Sequence, residues 1–253
     1  MIVIKTPAEI DRMRAAGAIA AEVREQLAMA ARPGVTTAEL DRLAETSIRR
    51  LGGRPGFKGL YGFPASLCIS LNREIVHGVP GDRALVAGDL VSMDIGVVYR
   101  GFCADTALTV AVGDAPPETN RLIETTEAAL ADAIEVCRAG NRLGDIGAAV
   151  ERRASLAGFS VVRDFGGHGI GRKMHEEPWV ANFGAPGTGP ELVPGMTLAL
   201  EPMLNAGGSA VRAVDSGGWS VIVTADGSLS AHFEHTVAVT DGAALVLTAR
   251  GAA

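Results

Sequence analysis

The chain has 253 residues, of which 47% are hydrophobic and 21% charged, with a formal net charge of −6. This is ordinary globular composition with ample core for stability, which excludes a disordered or fibrous chain. The acidic balance gives no electrostatic ground for tight binding to nucleic acid or to an anionic membrane.

No apolar run approaches the ~20 residues of a membrane span. The N-terminus, Met1-Ile-Val-Ile-Lys5-Thr6-Pro7, lacks a charged-then-apolar leader pattern, so a cytoplasmic location is expected. Three scattered cysteines, Cys68, Cys103 and Cys137, read as reduced buried thiols, not as a disulfide framework or a zinc knuckle.

Thr6-Pro7-Ala8-Glu9 supplies an N-cap, a proline at the first helical position and a capping-box glutamate. Ile10, Met13, Gly17, Ala20, Val23 and Leu27 follow at helical spacing, and Pro33-Gly34 stops the helix. Thr36-Thr37-Ala38-Glu39 starts a second helix, which ends at Gly52-Gly53. A glycine-, proline- and aromatic-rich loop spans 53–66. Short strands over Leu67–Leu71, Leu90–Val98 and Phe102–Val112 come next, rich in apolar and β-branched residues.

The order then returns. Pro116-Pro117 opens a long helix that stops at Ala139-Gly140, a shorter helix runs to about Ala157-Gly158, and strands dominate from Val161 to Leu247. The helix stops Gly34 and Gly140 are 106 residues apart, and Leu85-Val86-Ala87-Gly88 matches Leu192-Val193-Pro194-Gly195 at an offset of 107. The same offset sets Asp94 opposite Glu201. The expectation is one α+β domain over 1–253, internally duplicated, with pseudo-repeat halves of about 1–112 and 113–253.

Four acids interrupt apolar strands: Asp94 in LVSMDIGVV, Asp105 in FCADTALTV, Glu201 in MTLALEPML and Glu234 in AHFEHTVAV. A buried carboxylate needs a partner. For any one of them a salt bridge would serve, but these segments carry almost no basic residues, and Arg100 falls at the hairpin tip. With Tyr99-Arg100 as a two-residue tip, Asp94 lies directly across from Asp105, where like charges repel unless a cation intervenes; a three-residue loop would change that register. His168, in Gly166-Gly167-His168-Gly169-Ile170-Gly171, reads as a ligand on a flexible glycine-rich stretch. One imidazole with four carboxylates suits Mn2+, Fe2+, Co2+ or Zn2+ in a pair better than a thiolate zinc site. Such pairs serve hydrolysis.

The segments His77-Gly-Val-Pro, Asp94-Ile-Gly, Gly101-Phe-Cys-Ala-Asp105-Thr, Gly167-His168-Gly-Ile-Gly, His175-Glu-Glu-Pro, Glu201-Pro-Met and Glu234-His-Thr together resemble type I methionine aminopeptidase. The resemblance covers nearly the whole chain and implies the duplicated pita-bread fold, an antiparallel sheet with two helix pairs related by pseudo-two-fold symmetry. It implies Asp94, Asp105, His168, Glu201 and Glu234 as ligands of two divalent ions, with Asp105 and Glu234 bridging. Glu201 would also take a proton from the attacking water, His77 would touch the peptide nitrogen, and His175 the substrate carbonyl.

By the same resemblance Phe57, Leu60, Phe63, Cys68 and Trp219 line a methionine slot. For Trp219 a place in the core is an equal alternative. Leu60-Tyr61 stands where relatives often carry Tyr-His, Met174 where phenylalanine is common, and the stretch Gly207–Gly218 is glycine-rich and slightly long. The implied substrate is a nascent polypeptide beginning with methionine and a small second residue, met at the ribosome. No coiled-coil pattern or large apolar stripe demands a second subunit, so a monomer is expected.

Two other readings stand beside it. One is a proline-directed peptidase of the same fold, whose extra leading domain has no room before the helix at Thr6. The other is a non-catalytic relative without metals. No basic stripe supports nucleic-acid binding.

Overall fold

The computed structural model describes residues 1–251; the last two residues of the expected domain, Ala252 and Ala253, lie outside the described residues. The helices are α1 (Pro7–Ala30), α2 (Thr37–Arg50), α3 (Pro117–Val136) and α4 (Leu143–Leu156). The first half carries β1 (Arg54–Pro55), β2 (Cys68–Leu71), β3 (Glu74–Val76), β4 (Leu90–Tyr99) and β5 (Phe102–Ala111). After α4 come β6 (Ser160–Val161), β7 (Gly167–Gly169), β8 (Glu176–Val180), β9 (Thr197–Leu200) and β10 (Met203–Asn205). The chain closes with β11 (Val211–Ser216), β12 (Trp219–Thr224), β13 (Ser230–His232), β14 (Glu234–Ala238) and β15 (Leu245–Val246).

Nine strands form one antiparallel sheet in the order β1-β4-β5-β14-β9-β7-β8, with β2 also on β4 and β15 on β14. Two three-stranded sheets, β13-β10-β6 and β11-β12-β3, flank it. No described helix is long and apolar enough to cross a membrane.

Both first-half helices start as the sequence dictates. Thr6 N donates to Glu9 Oε2 at 2.9 Å and Thr36 N to Glu39 Oε2 at 2.7 Å, each closing a capping box. Strand alternation then sorts side chains by face. Val91, Met93, Ile95 and Val97 of β4 pack with Leu27 of α1 and Ile48 of α2. Leu198 and Leu200 of β9 and Val237 of β14 pack with Leu130 of α3 and Val150 of α4. Asp94 and Glu234, at alternate positions on these strands, therefore face away from the helices. That opposite face carries the site.

The duplication is visible in the backbone. Helices α1 and α3 end 106 residues apart, and α2 and α4 share the same offset at both ends. Gly34 N donates to Leu85 O, and Leu85 N to Val35 O; in the second half Gly140 N donates to Leu192 O, and Leu192 N to Asn141 O. The isolated bridges Thr36↔Ala84 and Arg142↔Glu191 repeat the correspondence.

Three details differ from the sequence expectations. The hairpin tip is Arg100–Gly101, not Tyr99–Arg100: Tyr99 pairs with Phe102, and Asp94 sits across from Ala107. Arg100 and Gly101 have φ of 49° and 82°, the two left-handed positions of a tight hairpin turn, and glycine fills the second without strain. Asp105 pairs with Gly96, so it lies diagonally from Asp94 on the same face.

The glycines around His168 are not flexible loop but strand. A Cβ at Gly167 would meet Ala199 O at 2.2 Å, and one at Gly169 would meet Glu177 O at 2.2 Å, so they let three backbones pack closely. The Gly207–Gly218 stretch is largely the β11–β12 hairpin, turned at Gly217-Gly218 with φ of 64° and 86°.

Candidate active site

Registers across the sheet place the acids. Cys68, Asp94, Ala107 and Glu234 lie opposite one another on β2, β4, β5 and β14 in turn. Asp105 is two residues along β5 from that row. Thr236 holds β5 to β14 there, donating from Oγ1 to Asp105 O at 2.8 Å and accepting from Asp105 N at 2.9 Å. His168 reaches in from β7, paired with Ala199 of β9, and Glu201 follows the last residue of β9.

Asp105, His168 and Glu234 each offer a donor atom within 4.8 Å of the others. His168 Nε2 lies 4.0 Å from Asp105 Oδ2 and 3.7 Å from Glu201 Oε1. Its Nδ1 donates to Gly169 O at 2.8 Å, which leaves the Nε2 lone pair facing carboxylate oxygens. Burial, then His175, lowers the His168 pKa to about 4, so the imidazole is neutral at pH 7 and offers these acids no charge. Burial and the neighbouring carboxylates raise Asp94, Glu201 and Glu234 well above the ordinary carboxylate range, and burial lifts Asp105 to about 7.

Asp94 Oδ1, Asp105 Oδ1 and Glu234 Oε1 are buried without a hydrogen-bond partner among the described residues. Among the described residues Asp105 and Glu201 have only histidines within ion-pair distance, and Asp94 and Glu234 have no ion-pair neighbour. Orphaned oxygens around a bare imidazole lone pair are the donor set of a divalent cation, and these residues fit one.

A cavity of about 280 Å³ opens onto this cluster. All twelve residues singled out in the sequence border it: the five candidate ligands, His77, His175, Phe57, Leu60, Phe63, Cys68 and Trp219. Phe57 and Phe63 are buried, and the Phe63 and Trp219 rings meet at 5.1 Å, so Trp219 lines the cavity while packing on its wall. Met174 is buried behind that wall beside Gly56 and Gly96. The Cys68 thiol is pushed well up by burial, so it acts as an apolar surface and not as a nucleophile.

His77 follows β3 at φ 65°, a strained value for histidine. At the next residue, Gly78, a Cβ would come within 2.0 Å of Ile69 O, so the chain passes tightly against β2 there. The His77 ring stands edge-on to Phe165 at 5.7 Å and to Trp219 at 6.4 Å. The His175 ring lies 4.5 Å from that of His168. Burial lowers the pKa of both His77 and His175.

Sequence reasoning missed several neighbours. His232 Nε2 is 3.7 Å from Glu201 Oε2, and Asn182 Nδ2 donates to Glu201 O at 3.0 Å. A histidine two residues before Glu234 was the available sign. Val76, Phe165, Gly166 and Trp179 also border the cavity, with no periodicity to mark them.

A clustered carboxylate–histidine centre beneath an apolar pocket, on a duplicated antiparallel scaffold, is the arrangement of a metallopeptidase. The sequence matches Metallopeptidase family M24 over residues 11–241, and the chain belongs to that family.

Within it, the chain is 52% identical over 248 residues to a methionine aminopeptidase of Clostridium perfringens, covering 98% of this chain and 99% of that one. It is also similar to the crystal structure of methionine aminopeptidase from Rickettsia prowazekii, with TM-score 0.96, 41% identity, and coverage of 98% and 100%. Prolidase from Pyrococcus furiosus is a more remote likeness, at TM-score 0.78 and 22% identity over 65% of that chain, and shares the fold.

Proposed function

We propose that the chain removes the N-terminal methionine from polypeptides, with a small second residue preferred, acting as a monomer in the cytoplasm on chains emerging from the ribosome. The observation that carries the reading is the neutral His168 Nε2 set within 4.0 Å of Asp105 and Glu201 at the floor of an apolar, aromatic slot. Relatives with this name match along nearly their whole length.

In this reading Asp94, Asp105, His168, Glu201 and Glu234 would hold two divalent ions drawn from Fe2+, Mn2+, Co2+ or Zn2+. When bound, the ions supply Lewis-acid charge beside the scissile carbonyl. Glu201, its proton affinity raised by burial, accepts a proton from the attacking water. Neutral His175 donates an N–H to the carbonyl oxygen as negative charge grows there. His77, held by its strained backbone, orients the peptide nitrogen. Phe57, Leu60, Phe63, Cys68 and Trp219 enclose the methionine side chain, where each methylene is worth ~1–3 kcal/mol of discrimination. One catalytic domain built from halves 1–112 and 113–253 supplies all of these.

The test is methionine release from Met-Ala-Ser by chelator-treated protein with each ion returned in turn. Restored release supports the reading. Faster cleavage of Ala-Pro peptides would make the enzyme proline-directed, and failure to take up any divalent ion would make it a non-catalytic relative.

A further inference from the structure

The cavity holds aromatic rings in two unlike settings. Toward its floor Phe57 and Phe63 are withdrawn from water, at 7% and 3% exposure, whereas Tyr61 and Trp179 at its mouth are 76% and 53% exposed. Aromatics are only 4% of the chain, yet both tryptophans and one of the two tyrosines border this one cavity. Large apolar rings left in water at a binding cleft mark a surface that something else covers.

One exposed ring stacks on a site histidine and the other is the cross-strand neighbour of a second. Tyr61, held at φ 51° in a turn over Leu60–Gly62, stacks on His175 with centroids 5.6 Å apart and planes inclined by 22°. Trp179 on β8 is the direct cross-strand partner of His168 on β7, and it stands edge-on to Phe183 at 6.3 Å. Strand β8 is the edge of the nine-stranded sheet, one strand outward from His168.

An exopeptidase closes around the first residue, so the remainder of the peptide must leave by the open end. Neighbouring strands lie ~4.8 Å apart and an extended peptide advances ~3.3 Å per residue. A chain leaving the site from His168 in the direction of β8 reaches the level of that strand within two residues of the scissile bond.

We propose that Tyr61 and Trp179 form a subsite for the third residue of the peptide substrate, favouring an apolar or aromatic side chain there. The inference rests on the aminopeptidase reading above. Tyr61 supplies a flat face continuous with His175, Trp179 supplies a wall beside His168, and a third-residue side chain between them removes apolar ring surface from water.

The test compares kcat/KM for the amides of Met-Ala-Phe and Met-Ala-Gly with the metal-loaded full chain. The wild type is expected to favour Met-Ala-Phe by roughly three- to tenfold, the range of one aromatic contact. Trp179→Ala should bring the ratio toward one, and Trp179→Phe should restore most of it. Tyr61→Ala should shift the ratio the same way; because that ring touches His175, the ratio and not the absolute rate is the readout. Equal rates for the two peptides in the wild type, or an unchanged ratio in Trp179→Ala, would sink the subsite while leaving methionine release intact. Release from neither peptide would instead remove the aminopeptidase reading, and the subsite with it.

Discussion

The Lys5 ammonium lies 2.6 Å from Glu176 Oε2, with side-chain exposures of 3% and 10%. The pair ties the segment before α1 to the residue that follows His175. Lys5 Nζ also donates to Val3 O at 3.1 Å, and Lys173 N donates to Glu176 Oε1 at 3.1 Å. A Cβ at Gly171 would collide with both side chains, so the glycine makes room for them. Removing one partner of a buried pair strands the other charge, at a cost of ~3–5 kcal/mol. Lys5→Met is therefore expected to lose stability on that scale, and adding Glu176→Gln should recover part of it. Urea titrations of the double-mutant cycle check this, and strictly additive losses would contradict the coupling.

Asp105→Asn and Glu234→Gln should each reduce ion uptake and lower the rate by at least ~100-fold, the upper range for losing even an outer partner of a metal site. The far-UV circular dichroism should stay that of the wild type, because each change removes a buried charge and keeps the volume. Metal analysis beside the rate is the check, and a variant keeping full ion content and most of its rate would refute the assignment.

His77→Ala should leave ion content unchanged, because the His77 ring packs on Phe165 and Trp219 and makes no ion pair with the acids among the described residues. Its loss should fall on kcat/KM, by roughly ten- to a hundredfold for one lost orienting hydrogen bond. Lost metal in this variant would move His77 from orienting substrate to supporting the centre.

How much of this was legible in the sequence depended on the range of the cause. Capping boxes at Thr6 and Thr36 are local, and so is the alternation that turns Asp94 away from α1 and α2. The hairpin register was not readable from counting alone. It follows from which two residues tolerate left-handed backbone, and Gly101 was the clue. The glycines beside His168 read as freedom because the carbonyls of Ala199 and Glu177, which need their missing side chains, come from strands far along the chain. His232 stood two residues from Glu234 in plain view. What aims it at Glu201 is the break between β13 and β14 at Phe233, a tertiary event. Trp179 lies on the edge strand β8, and no periodicity in the sequence marked it.

Glu45 gives a pH-dependent prediction. Hydrogen bonds from Lys58 at 2.7 Å and Arg49 at 2.8 Å, with Ser66 assisting, lower its pKa from 4.5 to about 2. The unfolded chain takes up this proton near 4.5 while the folded one resists to about 2. The contribution is thus complete above the higher value and vanishes as pH falls through the lower one. Glu45→Gln should cost up to ~1 kcal/mol at pH 7, a limit set by solvent screening of its exposed partners. The gap from wild type should close as acid is added. Urea midpoints from pH 7 downward test it, and a gap that widened in acid would invert the sign.

The β4–β5 hairpin supplies Asp94 and Asp105, while His168, Glu201 and Glu234 arrive from segments laid down more than fifty residues later. A cation held by both groups would be a rivet through two leaves of the sheet. Since an unfolded chain cannot present the five together, every increment of affinity for such an ion would also be an increment of resistance to unfolding, growing with the logarithm of its free concentration. Starving such a protein of metal would strip its activity and its durability in one stroke.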